Sequence, residues 1–205
     1  MPRTQHTIAG RSLIVASILT VAIMFHHPTS FNNAFMSWLV HGSLMLIALI
    51  STTAVVSATV QFGIDRPLVL LPIISYLGGF AANVIAGTVN GFVAPEMFHK
   101  LDTQELDSIL SLCWSINQNS AKVGIVGTSL GMLIISSLFS KSKRSWGSWV
   151  TTGISYVCCV SAVGAMFFHH EEIDVHAALV IYTLQAAWHL LVGIQLICVV
   201  DCDSL

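Results

Sequence analysis

Long apolar stretches, each close to the length needed to cross a lipid bilayer, follow one another along almost the whole chain. A spanning helix needs roughly 20 apolar residues, because the hydrocarbon core is about 30 Å thick and each residue adds about 1.5 Å. Six stretches meet this requirement, some approximately: 12–27, 34–62, 67–93, 109–139, 146–168 and 175–200. They predict an all-α integral membrane protein, a bundle of about six transmembrane helices with short loops, in which residues 1–205 form a single polytopic domain.

The composition favours lipid as the surroundings of this bundle. The 205 residues are 55% hydrophobic and only 9% charged, whereas soluble domains carry about 25% charged residues. A soluble chain of this kind would have too few polar side chains to cover its surface. The formal net charge of −2 excludes a basic face for nucleic acid. The expected partner is the lipid bilayer, and a homo-oligomer or a larger membrane complex stays open.

The first apolar stretch has features of a secretory signal peptide, since Arg3 and Arg11 provide a basic start. It ends in His26-His27-Pro28, however, and not at a small-x-small cleavage site. We therefore interpret it as a retained first helix.

The basic residues predict the orientation of the helices. With the amino terminus in the cytoplasm, six Lys and Arg residues fall on the inner side, namely Arg3, Arg11, Arg66, Lys141, Lys143 and Arg144. Only Lys100 falls on the outer side. Cytoplasmic loops are enriched in Lys and Arg, so both termini are predicted to be cytoplasmic. The same asymmetry favours a multi-pass protein of the plasma (inner) membrane.

Histidines are concentrated on the predicted outer side. The densest stretch is residues 169–176, which holds three imidazoles and three carboxylates, and His41 enters its helix from the same side. Imidazole and carboxylate are ligands of zinc and of other divalent transition metals. The residues predicted to hold a metal ion, with zinc favoured, are His41, His170, Glu172, Asp174 and His176. The alternative is an acidic solvated loop, since the spacing matches no established zinc motif.

Polar side chains inside the apolar stretches form a second candidate site. A mid-membrane charge costs at least about 2.5–3.5 kcal/mol, so Lys122 is expected to face protein or water. We predict catalytic roles for Lys122 and for His189, which lies near the midplane of the last stretch. The residues predicted to line a polar cavity that opens outward are Asn83, Asn90, Trp114, Gln118, Asn119 and Gln185. The alternative is hydrogen bonding between helices that only fixes the bundle.

Other cofactor and enzyme classes fit the sequence less well. Haem is disfavoured because His176 and His189 point about 140° apart on one helix, and His41 and His189 differ in depth by roughly 10 Å. A membrane thiol oxidoreductase needs cysteine pairs in outer loops, whereas four of the five cysteines lie in apolar stretches and Cys202 lies in the tail. The chain contains no glycine-rich phosphate loop.

Three functions remain open from the sequence. The first is a metal-dependent membrane enzyme that activates water against a lipid-like substrate, with Lys122 or His189 stabilising negative charge. The second is a transporter or binding protein for a small molecule or a metal ion. The third is a non-catalytic subunit of a larger membrane complex. The first two share the prediction of a polar site in the outer half of the bundle.

Overall fold

The computed structural model describes residues 3–28, 33–100, 103–142, 146–167, 173 and 175–202. These residues form helices and turns, and no strand occurs among them. The α-helices are α1 (Arg3–Met24), α2 (Ala34–Thr59), α3 (Pro67–Thr88), α4 (Ala94–Lys100), α5 (Thr103–Ser142), α6 (Trp146–Phe167) and α7 (Val175–Cys202). A 3-10 turn (Val60–Phe62) follows α2, and a π-helical segment (Val89–Val93) joins α3 to α4.

Five stretches of the described chain are long and apolar enough to cross a membrane: Thr4–Met24, Ala34–Phe62, Pro67–Lys100, Glu105–Ser140 and His176–Cys198. Helix α6, with 22 residues, is the sixth long helix of the bundle. The predicted all-α helical membrane bundle is therefore confirmed. Backbone amide and carbonyl groups cannot face lipid unpaired, and a helix pairs them within each continuous apolar stretch of about 20 residues.

Several helix boundaries differ from the sequence prediction, two of them for identifiable reasons. The third apolar stretch was expected to end near Val93, because Pro95 lacks a backbone N–H. The helix instead continues to Lys100 through the π-helical segment, whose wider turn lets the Ala94 N–H bond the carbonyl of Val89, five residues back. The first helix begins at Arg3 and not at Ser12, since polar residues extend it beyond the apolar stretch.

The six long helices form a closed ring. Helix α3 packs on α5, α5 on α6, α6 on α7, α7 on α1, α1 on α2 and α2 on α3. Most neighbours in this ring are also neighbours in sequence, and the last helix closes the ring on the first. We name the end with the α1–α2 turn the His27 end, and the end with the α2–α3 turn the Arg66 end.

Glycines allow the closest helix contacts of the ring. A Cβ atom at Gly193 of α7 would lie 2.7 Å from the backbone oxygen of Gly10 of α1. On α3, a Cβ at Gly79 would lie 2.8 Å from the backbone oxygen of Gly124 of α5. Small residues let helix backbones approach, which is a main source of helix association in lipid.

The half of the bundle near the Arg66 end is densely packed. Its core holds Leu13 of α1, Val55 of α2, Met132 of α5 and Val192 of α7, all at most 2% exposed. Trp188, also fully buried, donates an indole N–H to the Ser136 hydroxyl at 2.7 Å. This packed half forms the base on which the other half of the bundle is built.

Candidate functional site

The other half of the bundle encloses a cavity of about 530 Å³. It extends from His27 and Pro28 in the α1–α2 turn to Tyr76 and His189 in the middle of the bundle. Helices α1, α2, α3, α5 and α7 contribute to the lining, as do the π-helical segment and Phe98 of α4. The volume falls within the range of about 300–1,000 Å³ that is typical of small-molecule sites.

Three polar residues of the third transmembrane segment line the cavity at intervals of seven positions: Tyr76, Asn83 and Asn90. Seven residues make almost two full helical turns, so the three side chains lie in line over about 21 Å of helix. Apolar residues on the facing helices separate these levels, among them Leu44, Ala48 and Ala121. The lining therefore alternates hydrogen-bonding groups with apolar surface along its length.

His41 is held in one orientation near the His27 end. Its Nδ1 lies 2.9 Å from the carbonyl oxygen of Ser37, one turn earlier on α2. A carbonyl oxygen only accepts hydrogen bonds, so Nδ1 carries the proton and Nε2 accepts one from the Asn90 amide at 3.2 Å. Gly91 makes this contact possible, because a Cβ there would overlap the His41 side chain.

A second histidine is held in a similar way at the deep end of the cavity. The His189 ring bonds the backbone of Gln185, one turn earlier on α7, and its Nε2 lies 2.5 Å from the Tyr76 hydroxyl. Nearby, the Tyr182 hydroxyl donates to the Asn83 side-chain oxygen at 3.1 Å. Two pairs thus join α3 to α7 across the cavity.

Glutamine side chains fasten α5 to the segment that leads into α7. Gln118 donates to the carbonyl oxygen of Ile173 at 3.2 Å and accepts from the Ile173 N–H at 2.8 Å. Deeper in the bundle, Gln185 donates to the Thr128 hydroxyl at 2.9 Å and to Ser129 at 3.2 Å. These bonds connect α5 directly to α7 along the cavity. No described residue of α6 lines the cavity.

The described lining contains no Asp, Glu, Lys or Arg. Its titratable side chains are His27, His41, His189, Tyr76 and Tyr182. The ring of His27 packs edge-on against His41, with 4.9 Å between ring centroids. His27 lies outside the transmembrane stretches, and burial lowers its pKa despite the opposing effect of its hydrogen bond to the Pro28 carbonyl. The cavity is therefore suited to an uncharged occupant.

Most of the predicted cavity residues come together in this cavity. Asn83, Asn90, Trp114, Gln118 and Gln185 line it, as does His189.

Two of the predicted residues lie outside the lining. Asn119 is exposed and donates to the carbonyl oxygen of Ser115 at 2.9 Å. Lys122 is half-buried and takes part in a polar or electrostatic interaction. It follows Ala121, which lines the cavity, and successive helix residues point 100° apart.

The predicted metal ligands divide into two groups. His170, Glu172 and Asp174 lie outside the described residues. His41 lines the cavity, and His176 is exposed in the first turn of α7. Within the part of the chain that the structure describes, no three histidine, cysteine or acidic side chains lie close enough to hold a metal ion. The zinc site remains a prediction.

Sequence reasoning missed two features of the site. Tyr182 shares a helix face with Ala178, Gln185 and His189 at spacings of three or four residues, and this periodicity could have revealed it. The π-helical segment was not expected either. Such segments often occur at functional sites, and Gly91 followed by Pro95 is the local signal for a departure from regular helix.

Three comparisons with known proteins provide no further constraint on the site. No protein-family model, no curated protein and no solved structure is significantly similar to this chain. The fold and the cavity therefore have to be interpreted from their own chemistry.

Proposed function

We propose that this protein binds an uncharged, amphipathic small molecule inside the membrane, as a receptor or a carrier. The observation that supports the proposal best is the cavity of about 530 Å³ whose described lining lacks charged side chains. Moving an ion out of water without a partner costs far more than moving a hydroxyl or a carbonyl, so an ionic ligand is disfavoured.

The polar groups of the lining define what the ligand carries. Asn83 uses its oxygen for Tyr182, and Asn90 uses its amide nitrogen for His41. An amide has one acceptor oxygen and two N–H donors, so each asparagine retains capacity to bond a ligand. Hydroxyl, carbonyl or ester groups on an apolar body fit this pattern, and an uncharged lipid is the ligand class that combines them.

The test is equilibrium binding to protein reconstituted in nanodiscs, with a fluorescent monoacylglycerol as the probe. Ala178 lines the cavity, whereas Val180 on the same helix is 59% exposed. Ala178→Phe fills part of the cavity and should weaken binding by about tenfold or more, which corresponds to about 1.4 kcal/mol. The matched control Val180→Phe faces outward and should leave the dissociation constant within about twofold.

Two outcomes would contradict the proposal. Binding to the wild-type protein that does not saturate would show that the probe only partitions into lipid. Equal effects of Ala178→Phe and Val180→Phe would show that the probe binds elsewhere. Lipid extraction from the purified protein, followed by mass spectrometry, identifies the natural ligand in the favourable case.

A metal-dependent hydrolase is a second candidate, favoured by the contact between His27 and His41 at the His27 end of the cavity. Two imidazoles supply part of a zinc ligand set, which needs at least three protein ligands in catalytic sites. Elemental analysis of the purified protein tests it. One equivalent of zinc that is lost in His41→Ala would favour the enzyme, and a metal-free protein after zinc repletion would exclude this site.

The predicted orientation completes the proposal. Arg11 and Arg66 lie towards the Arg66 end, which is the cytoplasmic end if basic residues are retained inside. The His27 end of the cavity would then lie on the outer side of the plasma (inner) membrane. Exposed apolar side chains around the ring, such as Val15, Leu46 and Val160, would contact lipid, a second copy or a membrane partner.

A further inference from the structure

A second, smaller pocket lies beside the cavity, between the π-helical segment and α5. It measures about 260 Å³. Its lining is almost entirely apolar and comprises Val89, Asn90, Ala94, Leu110, Ser111, Cys113 and Trp114. Asn90 and Trp114 also line the large cavity, so these two residues border both spaces.

Counted by helix length from Arg66, the pocket falls where the hydrocarbon core of a bilayer meets the headgroups. Helix α3 has 22 residues, which corresponds to about 33 Å at 1.5 Å per residue. The hydrocarbon core is about 30 Å thick, so the π-helical segment that follows α3 reaches the opposite boundary from Arg66. Trp114 is 36% exposed at this level, and tryptophan is enriched at membrane interfaces.

The packing of α3 against α5 changes at this level. Deeper in the membrane, Gly79 and Gly127 bring the two backbones into contact, and a Cβ at Gly127 would lie 2.9 Å from the Gly79 Cα. Towards the His27 end, the pocket lies between the π-helical segment and α5. The two helices thus meet by backbone contact in the middle of the bundle and border a pocket, with Asn90 and Trp114 in its lining, towards the His27 end. Side chains rotate within nanoseconds, whereas packed backbones do not separate so readily.

We propose that this pocket is a lateral entrance through which an uncharged lipid passes from the outer part of the bilayer, between Asn90 and Trp114, into the cavity. The inference rests on the proposed binding function and adds the route and the source of the ligand. An amphipathic lipid resides at the interface with its chain in hydrocarbon, which is the level and the polarity of the pocket. Its polar group would exchange bilayer surroundings for the Asn90 amide as it enters.

The experiment measures the rates of binding with the same fluorescent monoacylglycerol, transferred from donor vesicles to protein in nanodiscs. Ser111 is exposed and lines only the small pocket, whereas its neighbour Leu112 is 60% exposed and lines neither. Ser111→Trp should slow association and dissociation alike by about tenfold, through a higher barrier. The dissociation constant should stay unchanged, because the end states are the same. Leu112→Trp should leave both rates at the wild-type values.

A second measurement obstructs the pocket after folding. Ser111 is exposed in the lining of the pocket, so Ser111→Cys supplies an accessible thiol there, and alanine replaces the protein's own five cysteines. Alkylation of the Ser111→Cys protein with a maleimide should reproduce the slowing seen in Ser111→Trp, because accessible thiols react and buried ones do not. This arm keeps the proposal testable if the tryptophan variant does not fold.

The outcomes separate the two proposals. Unchanged rates in both obstructed proteins, with normal equilibrium binding, would overturn the lateral entrance and leave the binding function intact. Slower association with a proportionally weaker dissociation constant would also overturn it, because the small pocket would then be part of the bound state. A wild-type protein that does not bind the probe would overturn both.

Discussion

The same helices form both halves of the bundle, but one half is packed and the other encloses a cavity. Near the Arg66 end, Leu13, Met132 and Trp188 fill the space between helices and are fully buried. Near the His27 end, His41, Asn83 and other polar side chains surround a cavity. The packed half has its hydrogen-bonding groups paired with one another, as Trp188 and Ser136 are. The hollow half keeps amide groups with unused capacity, which is the arrangement expected of a ligand site.

This difference predicts which substitutions should change stability and which should change ligand binding. Helix association in lipid depends on van der Waals packing and close backbone approach, and not on a hydrophobic driving force. The packed half and the glycine contacts between α1 and α7 supply both. A cavity provides neither packing nor close backbone approach. The hollow half is therefore stabilised mainly by the packed half beside it and by hydrogen bonds across the cavity. Substitutions in the two halves should therefore affect different measurements.

The largest effect is expected from removing Trp188 in the packed half. Trp188→Ala deletes a fully buried indole together with its hydrogen bond to Ser136. Such substitutions cost about 3–5 kcal/mol, because the cavity left behind collapses only in part. Thermal unfolding in detergent should show a large loss of stability in this variant.

Trp149 provides the matched control for that experiment, since it is 60% exposed. Trp149→Ala should change the free energy of unfolding by no more than about 0.5 kcal/mol. A small loss in Trp188→Ala, similar to that of the control, would remove the distinction between a packed half and a hollow half.

An intermediate effect, on binding more than on stability, is expected in the hollow half. The double variant Asn83→Leu/Tyr182→Phe removes both partners of one hydrogen bond. Replacing both partners with apolar groups is nearly neutral, so the free energy of unfolding should change by less than about 1 kcal/mol. Binding of the monoacylglycerol probe should weaken by about tenfold, because the Asn83 amide is lost.

The single variants complete a double-mutant cycle. Tyr182→Phe alone should lower the free energy of unfolding slightly and should bind the probe nearly normally. Asn83→Leu alone leaves the Tyr182 hydroxyl without its partner and should lower the free energy of unfolding by about 1–3 kcal/mol. Normal binding by the double variant would show that Asn83 serves only to connect α3 with α7.

Much of the architecture could be predicted from the sequence, because lipid restricts the backbone to helices and so apolar length determines each segment. The face of α3 with Tyr76, Asn83 and Asn90 was also predictable, since helical periodicity places residues seven apart in line. The position of Lys122 outside the cavity lining was not predictable. Hydropathy and periodicity fix the depth of a side chain, but the rotation of α5 in the ring depends on the glycine contacts with α3.

The π-helical segment illustrates a second limit of sequence reasoning. Pro95 was expected to end the third transmembrane helix, since proline removes a backbone donor and clashes with the preceding turn. The helix instead becomes π-helical between Val89 and Val93, where the backbone hydrogen bonds span five residues in place of four, and it continues to Lys100. Within this segment Gly91 lies against the His41 side chain, and that contact joins residues fifty positions apart in the sequence.

The smallest effect is expected from acidification at the His27 end of the cavity. Burial lowers the pKa of His27 from its ordinary value of 6.5, so the unfolded chain binds a proton more readily than the folded protein. Stability rises with pH wherever the unfolded state binds more protons. His27 should therefore contribute no pH dependence well above pH 6.5 and should lower stability as the pH falls from that value towards the lowered pKa.

The measurement is the unfolding midpoint between about pH 8 and about pH 5. His27→Asn should flatten part of this decline, whereas His26→Asn, which changes an exposed ring, should retain it. An equal flattening in both variants would show that the decline does not arise from the burial of His27, and the hollow half would then lose its distinct response to acid.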